Sequence, residues 1–169
     1  MRCLTLLALL LAPLGVVSGV VPTRTGSLFA IRTPTKVHDA RSNVVTPPPC
    51  VAMHPAPNQR ETRERFDRFA YAFLIKRNLT ESFEYISAKY INHDLLAGAN
   101  GPGPALDFLS TIWDHVNFTN PRTAFRGNQG WLSYNATGAG AIVDRFRWEA
   151  GCIVEHWDTA EKFPKWARK

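Results

Sequence analysis

Residues 144–158 read DRFRWEAGCIVEHWD, and the pairing within this stretch sets the architecture around it. Two mixed apolar and charged runs flank Gly151, the pattern of a β-hairpin. A two-residue loop would pair Trp148 with Ile153 and Arg145 with His156. One face would then hold Arg145, Arg147, His156 and Asp158 beside only Val143 and Val154. A three-residue loop, with Gly151 in the left-handed conformation, pairs Trp148 with Cys152. That register puts Ile142, Asp144, Phe146, Trp148, Val154, His156 and Asp158 on one face. The other face carries Arg145 opposite Glu155 and Val143 opposite Trp157. The three-residue register is preferred because it separates an apolar face from a charged one and matches opposite charges across strands.

The preferred register sets Asp144 directly opposite His156, with Asp158 two residues further on. An apolar wall desolvates a carboxylate, while a neighbouring imidazole keeps it charged. Such a pair can move protons near neutral pH without a metal. The same pattern also describes a buried, hydrogen-bonded pair that orders the sheet.

Further out, Arg122–Arg126, Trp131–Asn135, Ala141–Trp148 and Ile153–Trp157 are short runs separated by turn residues, and predict strands. Ahead of them the period is helical. Phe66, Phe69, Ala70, Phe73 and Leu74 share one face of a helix that starts after Asn58, a candidate N-cap, and ends near Asn78. Thr80 is expected to cap a second short helix carrying Phe83, Ile86 and Tyr90. Pro104 suits the first turn of a third, whose inner face holds Leu106, Leu109, Ile112, Trp113 and Val116. Three helices followed by strands predict an α+β domain, with the helices on one face of a curved antiparallel sheet.

The chain begins with Arg2 and an apolar run from Leu4 to Val17, closed by small residues at Val17-Ser18-Gly19. This is the pattern of a secretory signal peptide over residues 1–19, too short to span a bilayer. Residues 20–57 hold seven of the twelve prolines and no apolar period, and are read as an extended leader. The folded domain is expected over residues 58–163, with a basic tail at 164–169. Cys3 leaves with the signal, so Cys50 and Cys152 can make one bridge in an oxidising compartment. Three sequons, at Asn78, Asn117 and Asn135, suggest a secreted glycoprotein. The formal charge of +6 invites a nucleic-acid reading. Residues 66–158, however, hold eight basic residues against ten acidic ones. The basic excess sits at the ends, so no nucleic-acid partner is expected.

The hairpin sequence, with Asp144, Phe146, Arg147, Gly151 and Ile153 to Asp158, resembles the end of SnoaL-like proteins in the nuclear transport factor 2 superfamily. Tyr90, Ile91 and His93 match a second stretch of that family, and the resemblance covers roughly residues 60–163. It implies a cone-shaped curved antiparallel sheet on about three N-terminal helices, enclosing a pocket for a small organic molecule. It also implies acid/base chemistry without a cofactor or metal, of the cyclase, isomerase or dehydratase type, or else a non-catalytic binding role. Asp144, His156, Asp158 and His93 are the candidate catalytic residues. Tyr90, Trp113, Tyr134, Phe146 and Trp148 are the candidate ligand contacts. A homodimer through the outer sheet face is a further implication. Two positions depart from the family: Tyr134 stands where a histidine is usual, and Cys152 where lysine is usual. The second points to a Cys50–Cys152 bridge that ties the leader to the hairpin turn.

Other chemistries find no support in the motifs. His93, His156, Asp144 and Asp158 match no zinc spacing. There is no Gly-x-Ser-x-Gly nucleophile turn, phosphate loop or dinucleotide fingerprint.

Overall fold

The computed structural model describes residues 44–167. The segment read as a signal peptide, most of the leader, and Arg168 and Lys169 lie outside the described residues. Asn58 caps the first helix, α1 (Gln59–Ala70), through a reciprocal capping box with Glu61. The helix continues as a π-helical stretch, Tyr71–Lys76, and stops at Arg77, which takes the left-handed conformation. Asn78, rather than Thr80, then caps α2 (Leu79–Phe83). The Thr80 hydroxyl is engaged elsewhere, with the backbone of Val45.

The second helix stops well short of the expected Tyr90. Residues 86–92 form a strand, β1 (Ile86–Asn92). Ile86 and Tyr90 are four residues apart, a spacing that satisfies one face of a helix and one face of a strand alike. After β1 come α3 (Pro102–Ile112), a 3₁₀ turn at Trp113–His115, then β2 (Phe118–Arg126), β3 (Gln129–Ala136), β4 (Gly140–Glu149) and β5 (Cys152–Trp157). The sheet order is β1-β5-β4-β3-β2. The four later strands pair antiparallel, whereas β1 lies parallel to β5. The curved sheet with helices is therefore α+β as expected, but mixed rather than wholly antiparallel. Among the described residues no helix is long and apolar enough to cross a membrane.

The final hairpin uses neither expected register along its whole length. At the tip Trp148 pairs with Ile153 across a two-residue turn, and Ala150 and Gly151 both have positive φ. One residue is then inserted at Val154, so that Arg147 faces Glu155 and Phe146 faces His156. The bulge is what lets Ile153 and His156 both point inward, since without it strand alternation would put them on opposite faces. Asp144, Phe146, Trp148 and His156 share the buried face, as expected. Asp144 lies diagonal to His156 rather than opposite it, and Arg147, not Arg145, faces Glu155. Arg145 instead faces Trp157, its guanidinium 3.9 Å from the ring centroid, and pairs with Glu161.

The core fills the space between helices and sheet. Phe66, Leu132 and Ile153 are fully buried there. Gly130 on β3 lets Phe66 seat against the sheet: a Cβ at that position would lie 2.5 Å from the Phe66 ring.

Residues 44–57 run without helix yet are fastened at several points. The Cys50 N–H donates to Ile86, the Met53 N–H donates to Ala150, and Cys50 is disulfide-bonded to Cys152. Cys50 is thus one of several anchors. The bridge links residues 102 apart in sequence. Its removal in a Cys50→Ser/Cys152→Ser variant is expected to cost about 2–4 kcal/mol, chiefly by freeing the unfolded chain. Urea unfolding measures this directly, and an unchanged midpoint would contradict it.

Candidate functional site

A cavity of about 190 Å³ opens between α3, the π-helical stretch and the inner face of the sheet. Its wall is mostly aromatic and aliphatic: Phe69 and Phe73 from the first helix, Leu109 and Trp113 from α3 and its end, Phe118 from β2. The polar groups are few and converge on the β1, β5, β4 side. Such a surface, apolar with a small set of polar groups, suits a small organic ligand.

At its floor sit Asp144 on β4 and His156 on β5, both buried. His156 Nε2 lies 3.2 Å from Asp144 Oδ1. The Tyr134 hydroxyl donates to Asp144 Oδ2 at 2.9 Å. Tyr134 therefore serves the carboxylate, with its phenol pKa pushed well up by burial and by the Asp144 charge beside it. The imidazole ring is stacked on Phe146, with centroids 4.8 Å apart, and lies nearly parallel to Tyr90.

The other ring nitrogen fixes the proton count. His156 Nδ1 lies 2.9 Å from Asn92 Oδ1. That oxygen also accepts the Asp94 backbone N–H at 3.2 Å, which orients the amide. An amide oxygen can only accept, so Nδ1 carries a proton. Between Nε2 and Oδ1 there is then room for one more proton, held either by the imidazole or by the carboxyl. Asn92 is a positioning residue for this pair. ¹⁵N NMR is expected to show a protonated His156 Nδ1, and Asn92→Ala is expected to mix the tautomers. A bare Nδ1 in the unaltered protein would contradict the assignment.

Of the candidate residues, Tyr90, Trp113, Tyr134, Phe146 and Asp158 line the cavity with Asp144 and His156. Two expected residues do not. His93 points to the outer face, where its ring stacks on Trp157 at 5.0 Å and its Nε2 lies 2.9 Å from Glu155 Oε1. Its side chain is 44% exposed, and it helps to hold the Glu155 carboxyl below the usual range. Trp148 lies behind the cavity, packed against Phe66, Phe69 and Tyr85. Asn92 and Asp94 line the cavity and were not singled out in the sequence. Strand alternation through Tyr90-Ile91-Asn92-His93 is the signal that finds them: Tyr90 and Asn92 share a face, and His93 does not.

Asp94 carries a cost. Burial raises its carboxyl pKa from the ordinary 3.8, and the negative charges of Asp158 and Asp144 add to the effect. A raised carboxyl favours the fold below its unfolded pKa, and that contribution is lost as pH rises through the folded value. Asp94→Asn is therefore expected to be more stable than the parent at pH 7. Thermal unfolding should show that advantage disappear below about pH 4.

No family model and no curated protein matches this chain. Solved structures similar to it include an NTF2-like protein of unknown function from Mesorhizobium loti, with 18% identity and a TM-score of 0.49, over 64% of this chain and 97% of that one. A SnoaL-like protein of unknown function from Burkholderia thailandensis shows 12% identity and a TM-score of 0.45, over 60% and 97%. An NTF2-like protein of unknown function from Cytophaga hutchinsonii shows 16% identity and a TM-score of 0.45, over 57% and 87%.

Proposed function

We propose that the domain binds a small ring-bearing carbonyl compound in this cavity and moves a proton on it, as a cyclase, isomerase or dehydratase would. The observation that carries the reading is the buried Asp144–His156 pair, with Nε2 3.2 Å from Oδ1, on the wall of an apolar cavity. In its carboxylate form Asp144 takes a proton from the carbon next to the carbonyl. The C–H electron pair moves into an enolate, and Tyr90 donates to the enolate oxygen. The proton returns to another atom of the same molecule from Asp144, with His156 as its partner acid/base. The side chains already present suffice for this step. Asp158, further along the same wall, is the alternative base. His93, a candidate catalytic residue in the sequence, faces away from the cavity and has no part in the step; Tyr90 polarises the carbonyl.

A specific observation favours a second reading, a non-catalytic binding protein. Both Asp144 oxygens are already engaged, one by Tyr134 and one by His156, as in a purely structural pair. Deuterium wash-in separates the two. The protein in D₂O with 2-indanone is expected to speed exchange at the α-carbons over buffer alone. Binding of the ketone without faster exchange would leave the second reading, and no binding would overturn both.

The reading extends to a secreted glycoprotein. The Cys50–Cys152 disulfide supports an oxidising compartment. Asn78, Asn117 and Asn135 are all exposed, as glycan acceptors must be. Peptide mapping of protein secreted by eukaryotic cells tests the sites one by one.

A further inference from the structure

The charged groups around the cavity are nearly all of one sign. Asp94, Asp144 and Asp158 line it with His156, and among the described residues no Lys or Arg does. The arginines of the surrounding elements are engaged elsewhere. Arg145 pairs with Glu161 and Arg147 pairs with Glu155. Arg77 does not itself line the cavity: it lies over the rings of Trp113 and Phe118 and donates to the Trp113 carbonyl, leaving its buried Nη1 without a hydrogen-bond partner among the described residues. Asp144 is answered by His156 and Tyr134. Asp94 and Asp158 have weaker company: Asp94 accepts the Leu96 N–H, and Asp158 accepts the Thr159 hydroxyl. Neither makes an ion pair with Lys or Arg among the described residues. A half-buried carboxylate without a counter-ion is costly, and the raised Asp94 pKa reports that cost.

A second, independent observation points to a ligand. Tyr90 is 3% exposed and lines the cavity, yet its hydroxyl has no hydrogen-bond partner among the described residues. Burial pushes its pKa well up, so it remains a phenol with a proton to donate. Buried phenols normally find a partner. The cavity thus offers an unmet donor, unmet negative charge and an apolar wall together.

We propose that the ligand is a ring compound bearing a protonated amine, its ammonium beside Asp94 and Asp158 and a carbonyl or hydroxyl oxygen on Tyr90. The inference rests on the reading above that the cavity binds a small organic molecule, and it names the class. The ring packs against Phe73, Trp113 and Phe118. Size agrees: an apolar cavity of about 150 Å³ holds benzene, so about 190 Å³ takes one ring or two. An anionic ligand would meet three carboxylates and no Lys or Arg among the residues that line the cavity.

Three matched probes test the class: 2-aminoindane, 2-indanol and indane-2-carboxylate, titrated at pH 7 by calorimetry with the intact chain. The amine is expected to bind about ten-fold more tightly than the alcohol, and the carboxylate not to bind. In Asp94→Asn/Asp158→Asn, which conserves shape, the amine's affinity is expected to fall to the alcohol's. An alcohol as tight as the amine, or a carboxylate that binds, overturns the amine assignment and leaves the cavity a ligand site. An amine preference that survives in the double variant also overturns it. Failure of all three probes to bind overturns the binding reading and this inference with it.

Discussion

Asp144→Asn is expected to slow the exchange of 2-indanone by about two to four orders of magnitude while leaving the domain folded. The amide conserves the shape of the carboxylate. Its carbonyl can still accept from Tyr134, and its NH₂ can donate to His156 Nε2. The hydrogen bonds at 2.9 and 3.2 Å therefore keep partners. What is lost is the basic oxygen and the shared proton. Stability should move by no more than about 1 kcal/mol, because no buried polar atom is left unpaired. Full exchange activity in this variant would remove Asp144 from the proposed reaction. A collapse in stability without a specific loss of exchange would favour the structural reading of the pair.

Phe69→Ala is expected to cost about 3–5 kcal/mol, the largest stability effect we anticipate. The ring is almost fully buried and touches Phe73, Tyr85, Phe146 and Trp148, with centroid distances from 5.0 to 6.2 Å. It joins α1 to the sheet and also forms part of the cavity wall. Truncation removes apolar burial and leaves a void that close-packed neighbours fill only in part. Against a usual domain stability of about 5–15 kcal/mol, that is a large share. Urea unfolding should show a lower midpoint with an unchanged slope. Leu95→Ala is the comparison: that side chain is 85% exposed, and its loss should change stability by less than about 0.5 kcal/mol. Equal effects at the two positions would mean that the Phe69 cluster is not the core.

Much of the site was legible in the hairpin. Strand alternation alone places Asp144, Phe146 and Trp148 on one face of β4, whichever loop closes the turn. It does not place His156, because one inserted residue on β5 flips everything beyond it. The Val154 bulge is such an insertion, and it fulfils the expected face through an unexpected register. The charged pairing that favoured the three-residue loop is present in kind but displaced by two residues, to Arg147 and Glu155. His93 and Asn92 show the reverse case. They are neighbours in the motif, and the histidine drew attention because imidazoles do chemistry. Their strand turns the histidine outward and the asparagine in.

The order of elements, the N-cap at Asn58, the apolar face of α1 and the inward row of β4 follow from local rules. Capping, helical period and strand alternation act over a few residues, so they can be read along the chain. The parallel pairing of β1 with β5, the contact of Asn92 with His156 across 64 positions, and the cavity they share do not follow from such rules. These depend on long-range closure, where the same local spacing fits a helix or a strand and packing selects between them. The one-proton pair, with its tautomer set from a strand on the far side of β5, therefore belongs to the tertiary structure alone.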